Sequence, residues 1–244
     1  MMLSSGYSGS SRAIVLLTAA LLVFATTPSC AASKKAPEEL DDPDVAARTT
    51  NPDGVPYPTD RIGGAERAAG RPGERIPNFA FQAYVDGDRA AGLKTVSLAD
   101  YYDPTGKRAK VLDLQVSATW CAVCSSVTEA TVPVKEKLRA EGGVVLEVIV
   151  AGASPSAGPA GSEVESWIVR HQSNVTTAFD VRGRRLRSIG IDPDAVPYDF
   201  LIDLRTMEIL DSSVGAPLNF DVASYVRQGL QFVATHEPSY GSGH

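Results

Sequence analysis

The segment Val144-Val-Leu-Glu-Val-Ile-Val150 restricts the fold more than any other part of this chain. A strand with one polar residue cannot show either face to water, so it belongs inside a sheet that is covered on both sides. That places the chain among layered α/β proteins. Gly142-Gly143 precedes the strand and stops a helical pattern. A Gly/Ala/Pro/Ser loop over residues 151–161 follows it.

Other segments supply the partners of that strand. Phe79–Val85 alternates and then meets Asp86-Gly87, which reads as a strand entering a turn. Ser97–Tyr102 reads as a short helix with Ser97 at its N-cap. Lys110–Val116 is a strand, and Cys121 to about Glu141 is a long helix with Cys124, Val127, Thr131, Val134 and Leu138 at helical spacing. A helix from Ser162 to His171 has Glu165 at capping-box distance from Ser162. Thr176–Asp180 is a short strand, and residues 183–190 form a basic helical turn or two. Tyr198–Asp203 and Glu208–Val214 form a hairpin, and Phe220–Ala234 is a final amphipathic helix. The expected architecture is a central mixed β-sheet with helices on both faces, over residues 76–236, with a disordered tail at 237–244.

The chain has 244 residues and a formal net charge of -6. So acidic a chain lacks the basic footprint that phosphate backbones require, which argues against nucleic-acid partners. At the N-terminus, residues 1–29 hold one charged side chain, Arg12, before the apolar run Ala13–Ala25. Thirteen helical residues would span roughly 20 Å, short of a hydrocarbon core of about 30 Å. The run reads as the h-region of a secretory signal. Thr26-Thr-Pro-Ser-Cys30 then resembles a bacterial lipoprotein signal, in which the cysteine becomes the lipidated first residue. Cleavage near Ala31-Ala32, discarding Cys30, is the alternative; both export the chain. Residues 30–75 hold nine acidic residues and a single aromatic one, Tyr57, and are expected to be a flexible tether. Its Pro56-Tyr57-Pro58 piece is a candidate for packing on the domain edge.

With Cys30 acylated or removed, Cys121 and Cys124 are the only thiols left. They stand at C-x-x-C spacing, after Trp120, between an apolar strand and a helix. Orphan N–H groups and the macrodipole at a helix N-terminus favour a thiolate on the first cysteine. Two intervening residues bring the second sulfur into disulfide reach. One sulfur can attack a substrate disulfide and the other can resolve the mixed disulfide. Three other uses of the pair remain: a zinc half-site completed by histidines, a copper site with one of His171, His236 or His244, and an inert structural disulfide. About 75 residues on, Val196-Pro197 opens a strand, as a tight or cis turn does.

Lys110–Cys124, Val164–His171, Phe179-Asp180, Val196-Pro197 with Phe200–Asp203, and Gly215 together resemble the thioredoxin-like family. More narrowly they resemble its exported, membrane-tethered redoxin branch of the TlpA/ResA type. The resemblance implies a thioredoxin-like fold, with Cys121 as exposed nucleophile and Cys124 as resolving thiol. It implies that Val196-cis-Pro197 faces the disulfide and offers backbone hydrogen bonds to a bound substrate, and that Trp120 walls the site. The chain departs from the family at Ala122-Val123, where a proline is common, and at Gln115, where thioredoxins proper have an aspartate that accepts a proton. Asp113, on the same face of the strand, is a substitute for it. Glu129 takes the place of a kink proline, and Pro133 one turn later is expected to carry the kink instead.

The function expected from these residues is protein disulfide reduction, the direction in which this branch mostly works. The redox-active disulfide is the only cofactor implied, with no metal. The implied partners are protein thiols and disulfides, an upstream membrane electron donor, and the membrane itself through a lipid anchor on Cys30. A thiol peroxidase would need Thr and Pro three and seven residues before its cysteine. Ala118 and Leu114 stand there for Cys121, and Cys121 and Ser117 for Cys124. The remaining rivals are a metal- or partner-binding lipoprotein and a structural one.

Overall fold

The computed structural model describes residues 40–60 and 72–238. Among them a seven-stranded sheet runs in the order β2-β1-β5-β4-β3-β6-β7. The strands are β1 (Ala80–Tyr84), β2 (Lys94–Ser97), β3 (Val111–Ala118), β4 (Gly143–Ala151), β5 (Thr176–Phe179), β6 (Tyr198–Asp203) and β7 (Glu208–Val214). β4 pairs in parallel with β3 and β5, and the other pairings are antiparallel. The apolar segment Val144–Val150 is therefore the central strand. The helices are α1 (Leu98–Tyr101), α2 (Ala122–Thr131), α3 (Lys135–Glu141), α4 (Gly161–His171) and α5 (Val222–Thr235).

Alternation along β3 and β4 divides the core. Leu112, Leu114 and Val116 join Leu146, Val148 and Val150 on one face, under α1 and the 3-10 turn Leu186–Ile189. Val111 packs on the other face with Val127 of α2, Leu138 of α3 and Val226 of α5. Ile149 and Ala151 on that face meet Trp167 and Val164 of α4. Helices thus cover both faces, and α2 starts at the C-terminal end of β3, the edge where open α/β sheets place their sites.

Several expected details shift. The long helix after Cys121 is two helices, broken between Thr131 and Lys135. Pro133 has no N–H to continue the ladder, so the kink sits at the displaced proline. α4 begins one residue early: its N-cap is Ala160, whose N–H donates to the Glu163 carboxylate at 2.8 Å. Glu165 instead accepts the Tyr84 hydroxyl at 2.8 Å, so it is not available to a Ser162 cap. α5 begins at Val222, because the Asp221 side chain accepts the Ser224 N–H at 3.0 Å and caps it there. The short edge strand β2 has too few residues to show a period.

The largest difference lies in residues 40–60, expected as part of a flexible tether apart from the Pro56-Tyr57-Pro58 piece. They pack on the domain, that piece as expected and the rest with it. Tyr57 is buried, with its hydroxyl donating to the Ile76 carbonyl at 2.8 Å. Asn51 closes the turn before it by accepting the Asp53 and Val55 N–H groups, and its amide donates to the Tyr102 carbonyl. Asp42 enters a buried ionic group with Arg185 and Asp180; its two carboxylate oxygens lie 2.8 and 2.7 Å from one Arg185 nitrogen. Arg185, within the basic turn expected over residues 183–190, is thus a structural residue. Replacing Arg185 with Leu leaves two buried carboxylates facing each other, and removing one partner of such a group costs about 3–5 kcal/mol. A correspondingly lower urea midpoint is the expected result, and an unchanged one would show that the group contributes nothing.

The signal segment, Cys30 and the residues up to 39 lie outside the described residues, as do 61–71 and the tail from 239. Among the described residues no helix is long and apolar enough to cross a membrane.

Candidate active site

Cys121 is the N-cap of α2, and Cys124 lies within its first turn. The two are joined as a disulfide with Cα atoms 5.2 Å apart. Cys121 Sγ accepts the Cys124 N–H at 3.1 Å, so the helix N-terminus already points a donor at this sulfur. The same donor and the macrodipole would hold a thiolate there after reduction. Cys124 is fully buried, and Cys121 retains 5% exposure. The expected exposed nucleophile is thus the more accessible of the two cysteines, yet nearly covered while oxidised.

The cover comes from the segment 75 residues on. The Val196–Pro197 bond is cis. The Val196 carbonyl oxygen lies 3.7 Å from Cys121 Sγ. The Pro197 carbonyl accepts the Gly215 N–H at 2.9 Å, which ties this turn to the end of β7. Trp120 and Val123 flank the cysteines and stay 36% and 42% exposed, giving the mouth an apolar rim. The structure therefore brings Trp120, Cys121, Cys124, Val196 and Pro197 to one place.

Beneath the site lies a group of buried acids. Asp199 of β6, Gln115 of β3 and Glu147 of β4 stand in register across three strands. Asp113, two residues before Gln115, accepts a hydrogen bond from the Gln115 amide at 3.0 Å. Gln115 also exchanges hydrogen bonds with Thr131 of α2. Glu147 is 2.6 Å from the Thr128 hydroxyl, which is itself 3.2 Å from the Cys124 carbonyl. The Trp167 indole N–H reaches both Glu147 oxygens at 3.2 Å. Burial pushes the Asp113 carboxyl up to about 7 and raises Glu147. Asp199 is raised well above the usual range, first by burial and then by the charges of Asp113 and Glu147, which together outweigh the Gln115 amide beside it.

Sequence reading placed Asp113 here but missed Glu147 and Asp199. The signal for Glu147 was its isolation in the most apolar strand. Glu129 is not part of the group: its mostly exposed carboxylate lies 3.4 Å from Nδ1 of buried His171. That imidazole is 3.3 Å from the Ser125 hydroxyl and stacks edge-on against Trp167. Among the described residues no cluster of three or more His, Cys, Asp or Glu side chains could hold a metal ion.

No protein-family model matches the chain, and no curated protein does. Solved structures do match its fold. A Chlorobium tepidum protein assigned as thiol:disulfide interchange protein DsbE is 22% identical, with a TM-score of 0.51 over 66% of this chain and 98% of that one. A secreted thiol-disulfide isomerase from Corynebacterium glutamicum is 16% identical, with a TM-score of 0.51 over 65% of this chain and 86% of that one. AhpC of Mycobacterium tuberculosis is 14% identical, with a TM-score of 0.51 over 70% and 96%. The fold is thioredoxin-like. Proteins with such different names share it, so the fold does not choose the reaction and the site must. The site here is a C-x-x-C disulfide at a helix N-terminus, opposite a cis-proline turn.

Proposed function

We propose that this chain is an exported thiol–disulfide oxidoreductase that reduces protein disulfides. The observation that carries the reading is Cys121: a helix N-cap sulfur that accepts the Cys124 N–H, with the Val196 carbonyl on its other side. In the reduced protein the Cys121 thiolate attacks a substrate disulfide. One substrate thiolate leaves and takes a proton, and a mixed disulfide remains on Cys121. Cys124 then loses its proton and attacks Cys121 Sγ, releasing the second substrate thiol. Two electrons and two protons have passed to the substrate, and the Cys121–Cys124 disulfide has formed. A dithiol donor at the membrane returns them by the reverse exchange. No other cofactor enters. Trp120, Val196 and Pro197 are the surfaces that hold the substrate segment.

The buried acids complete the mechanism. Cys124 is fully buried, so the acceptor of its proton is sought among the groups packed around it. Glu147 is the candidate acceptor: its carboxylate meets the Thr128 hydroxyl, which lies against the backbone carbonyl of Cys124 in the same helical turn, and Asp113 and Asp199 lie in the same buried group. Lipidation of Cys30 would hold the domain at a membrane surface outside the cytoplasm.

The test is the equilibrium reduction potential of the Cys121–Cys124 pair, titrated against dithiothreitol with thiols trapped by alkylation. A value near the thioredoxin range of about -270 mV, with Cys121 alkylated first, is the expected result. A value near about -120 mV would keep the enzyme and reverse its direction. A pair that stays oxidised until the fold is lost would leave an inert structural disulfide and sink the reading.

A further inference from the structure

A groove of about 370 Å³ opens beside the disulfide, and of its walls only Trp120 has a part in the mechanism. Its walls are Thr119 and Trp120 on one side and Ser162, Glu163, Ser166 and Arg170 of α4 on the other. Trp120 directly precedes Cys121, so the groove begins one residue from the nucleophile. Its Trp167 wall belongs to the same packed cluster as Cys121 and Cys124, so the groove is built against the disulfide's own surroundings. The volume is at the low end for a ligand cleft and suits one or two side chains rather than a cofactor.

The walls divide by charge: Glu163 stands in the first turn of α4 and Arg170 in its last. Ser162, Ser166 and Arg170 stand at i, i+4 and i+8, so one stripe of α4 faces the groove. Three hydroxyls and a guanidinium are all donors. Among the described residues no carboxylate pairs with Arg170. The one acid in the wall, Glu163, keeps its charge but is held at the start of α4 by the Ala160 N–H, about two helical turns from Arg170. Arg170 is exposed, on a chain whose net charge is -6, so its attraction acts at contact range and is screened by salt. The half-exposed Trp120 ring closes the groove toward the disulfide and offers an apolar surface to a side-chain stem.

We propose that this groove is a specificity subsite for an Asp or Glu side chain of the polypeptide substrate, close in sequence to the cysteine that Cys121 attacks. The proposal rests on the oxidoreductase reading and names the substrates it favours. A segment whose cysteine lies over Cys121 carries its neighbouring side chains toward the groove mouth. Arg170 and the Ser166 hydroxyl one turn before it then receive the carboxylate.

The test is single-turnover kinetics with the pre-reduced protein. The substrates are short peptides bearing one cysteine as its 2-pyridyl disulfide, identical except for Glu, Gln or Lys two residues from that cysteine. The reduced Cys121–Cys124 pair supplies both electrons, and pyridine-2-thione and the free peptide thiol are the products. The uncharged 2-pyridyl disulfide of mercaptoethanol is the reference. An exposed pair is worth a few-fold in rate each way, so Glu should exceed Lys by about tenfold, with Gln between. The Glu-to-Lys ratio should fall to about one in Arg170→Ala, invert in Arg170→Glu, and shrink in high salt. A native ratio near one with normal reaction of the reference would overturn the subsite and leave the oxidoreductase standing. A ratio that Arg170→Ala does not change would also overturn it. No reaction even with the reference would overturn the oxidoreductase reading, and the subsite with it.

Discussion

Cys124→Ser is expected to arrest the protein halfway, with Cys121 bound to substrate as a mixed disulfide. Turnover should fall by about 10³-fold or more, the scale seen when a member of a catalytic unit is removed. The reason is in the geometry. Cys124 is buried beneath Cys121, with 5.2 Å between the Cα atoms, so Cys121 is the partner it can reach. A serine hydroxyl at that place is too weak a nucleophile to break the mixed disulfide. Cys121→Ser should lose turnover as fully but collect no adduct, because the remaining thiol has no exposure to meet a substrate. Mass spectrometry of each variant after incubation with a disulfide peptide separates the two outcomes. Cys124→Ala repeats the first experiment without placing a hydroxyl in the apolar cluster. An adduct on Cys124 in the Cys121→Ser protein would show that the roles are reversed.

Much of this site could be read from residues alone, since its parts are local. Trp120 to Cys124 is one short segment, and the strand before it and helix after it carry their own periods. Val196-Pro197 was readable because a proline opening a strand has few conformations to choose from. The hairpin of β6 and β7 falls at the residues its alternation predicts. What stayed hidden depends on partners distant in the chain. Glu147 was visible as the lone polar residue of its strand, but nothing local says that Thr128 and Trp167, 19 and 20 residues away, would satisfy it. Asp199 sits among polar and apolar neighbours as any strand residue might. The packing of residues 40–60 turns on two anchors, Asn51 and Tyr57, within a composition that otherwise reads as tether. Ser162 illustrates the reverse case: a correct capping pattern lost because Glu165 found a better donor in Tyr84.

The buried acids make stability depend on pH in an uncommon direction. A carboxyl whose folded-state value is raised holds its proton in the native protein at a pH where the unfolded chain has lost it. The native state then binds more protons, and stability falls as pH rises. For Asp113, pushed up from the model-peptide value of 3.8 to about 7, the window runs from about pH 4 to pH 7. At about 1.36 kcal/mol per pH unit the loss is about 4 kcal/mol, and Glu147 and Asp199 act in the same direction. Asp103 works the other way: hydrogen bonds from Thr105, Arg108 and Ala109 outweigh its burial and lower it, so its contribution disappears in acid. The expected urea midpoint of the oxidised protein is therefore highest near pH 5 and distinctly lower at pH 8. Asp199→Asn removes a buried ionisable group whose charged neighbours, Asp113 and Glu147, are of its own sign. It should stabilise the protein at pH 8 by about 1–3 kcal/mol, the range found when buried charges are replaced, and have little effect at pH 5. A midpoint that climbs from pH 5 to pH 8 would mean that these carboxyls ionise at ordinary values. Under the proposed mechanism the instability has a use. Acids that resist ionising beneath Cys124 are the groups able to hold and return its proton near neutral pH, so the substitution that stabilises the fold should slow the Cys124 step.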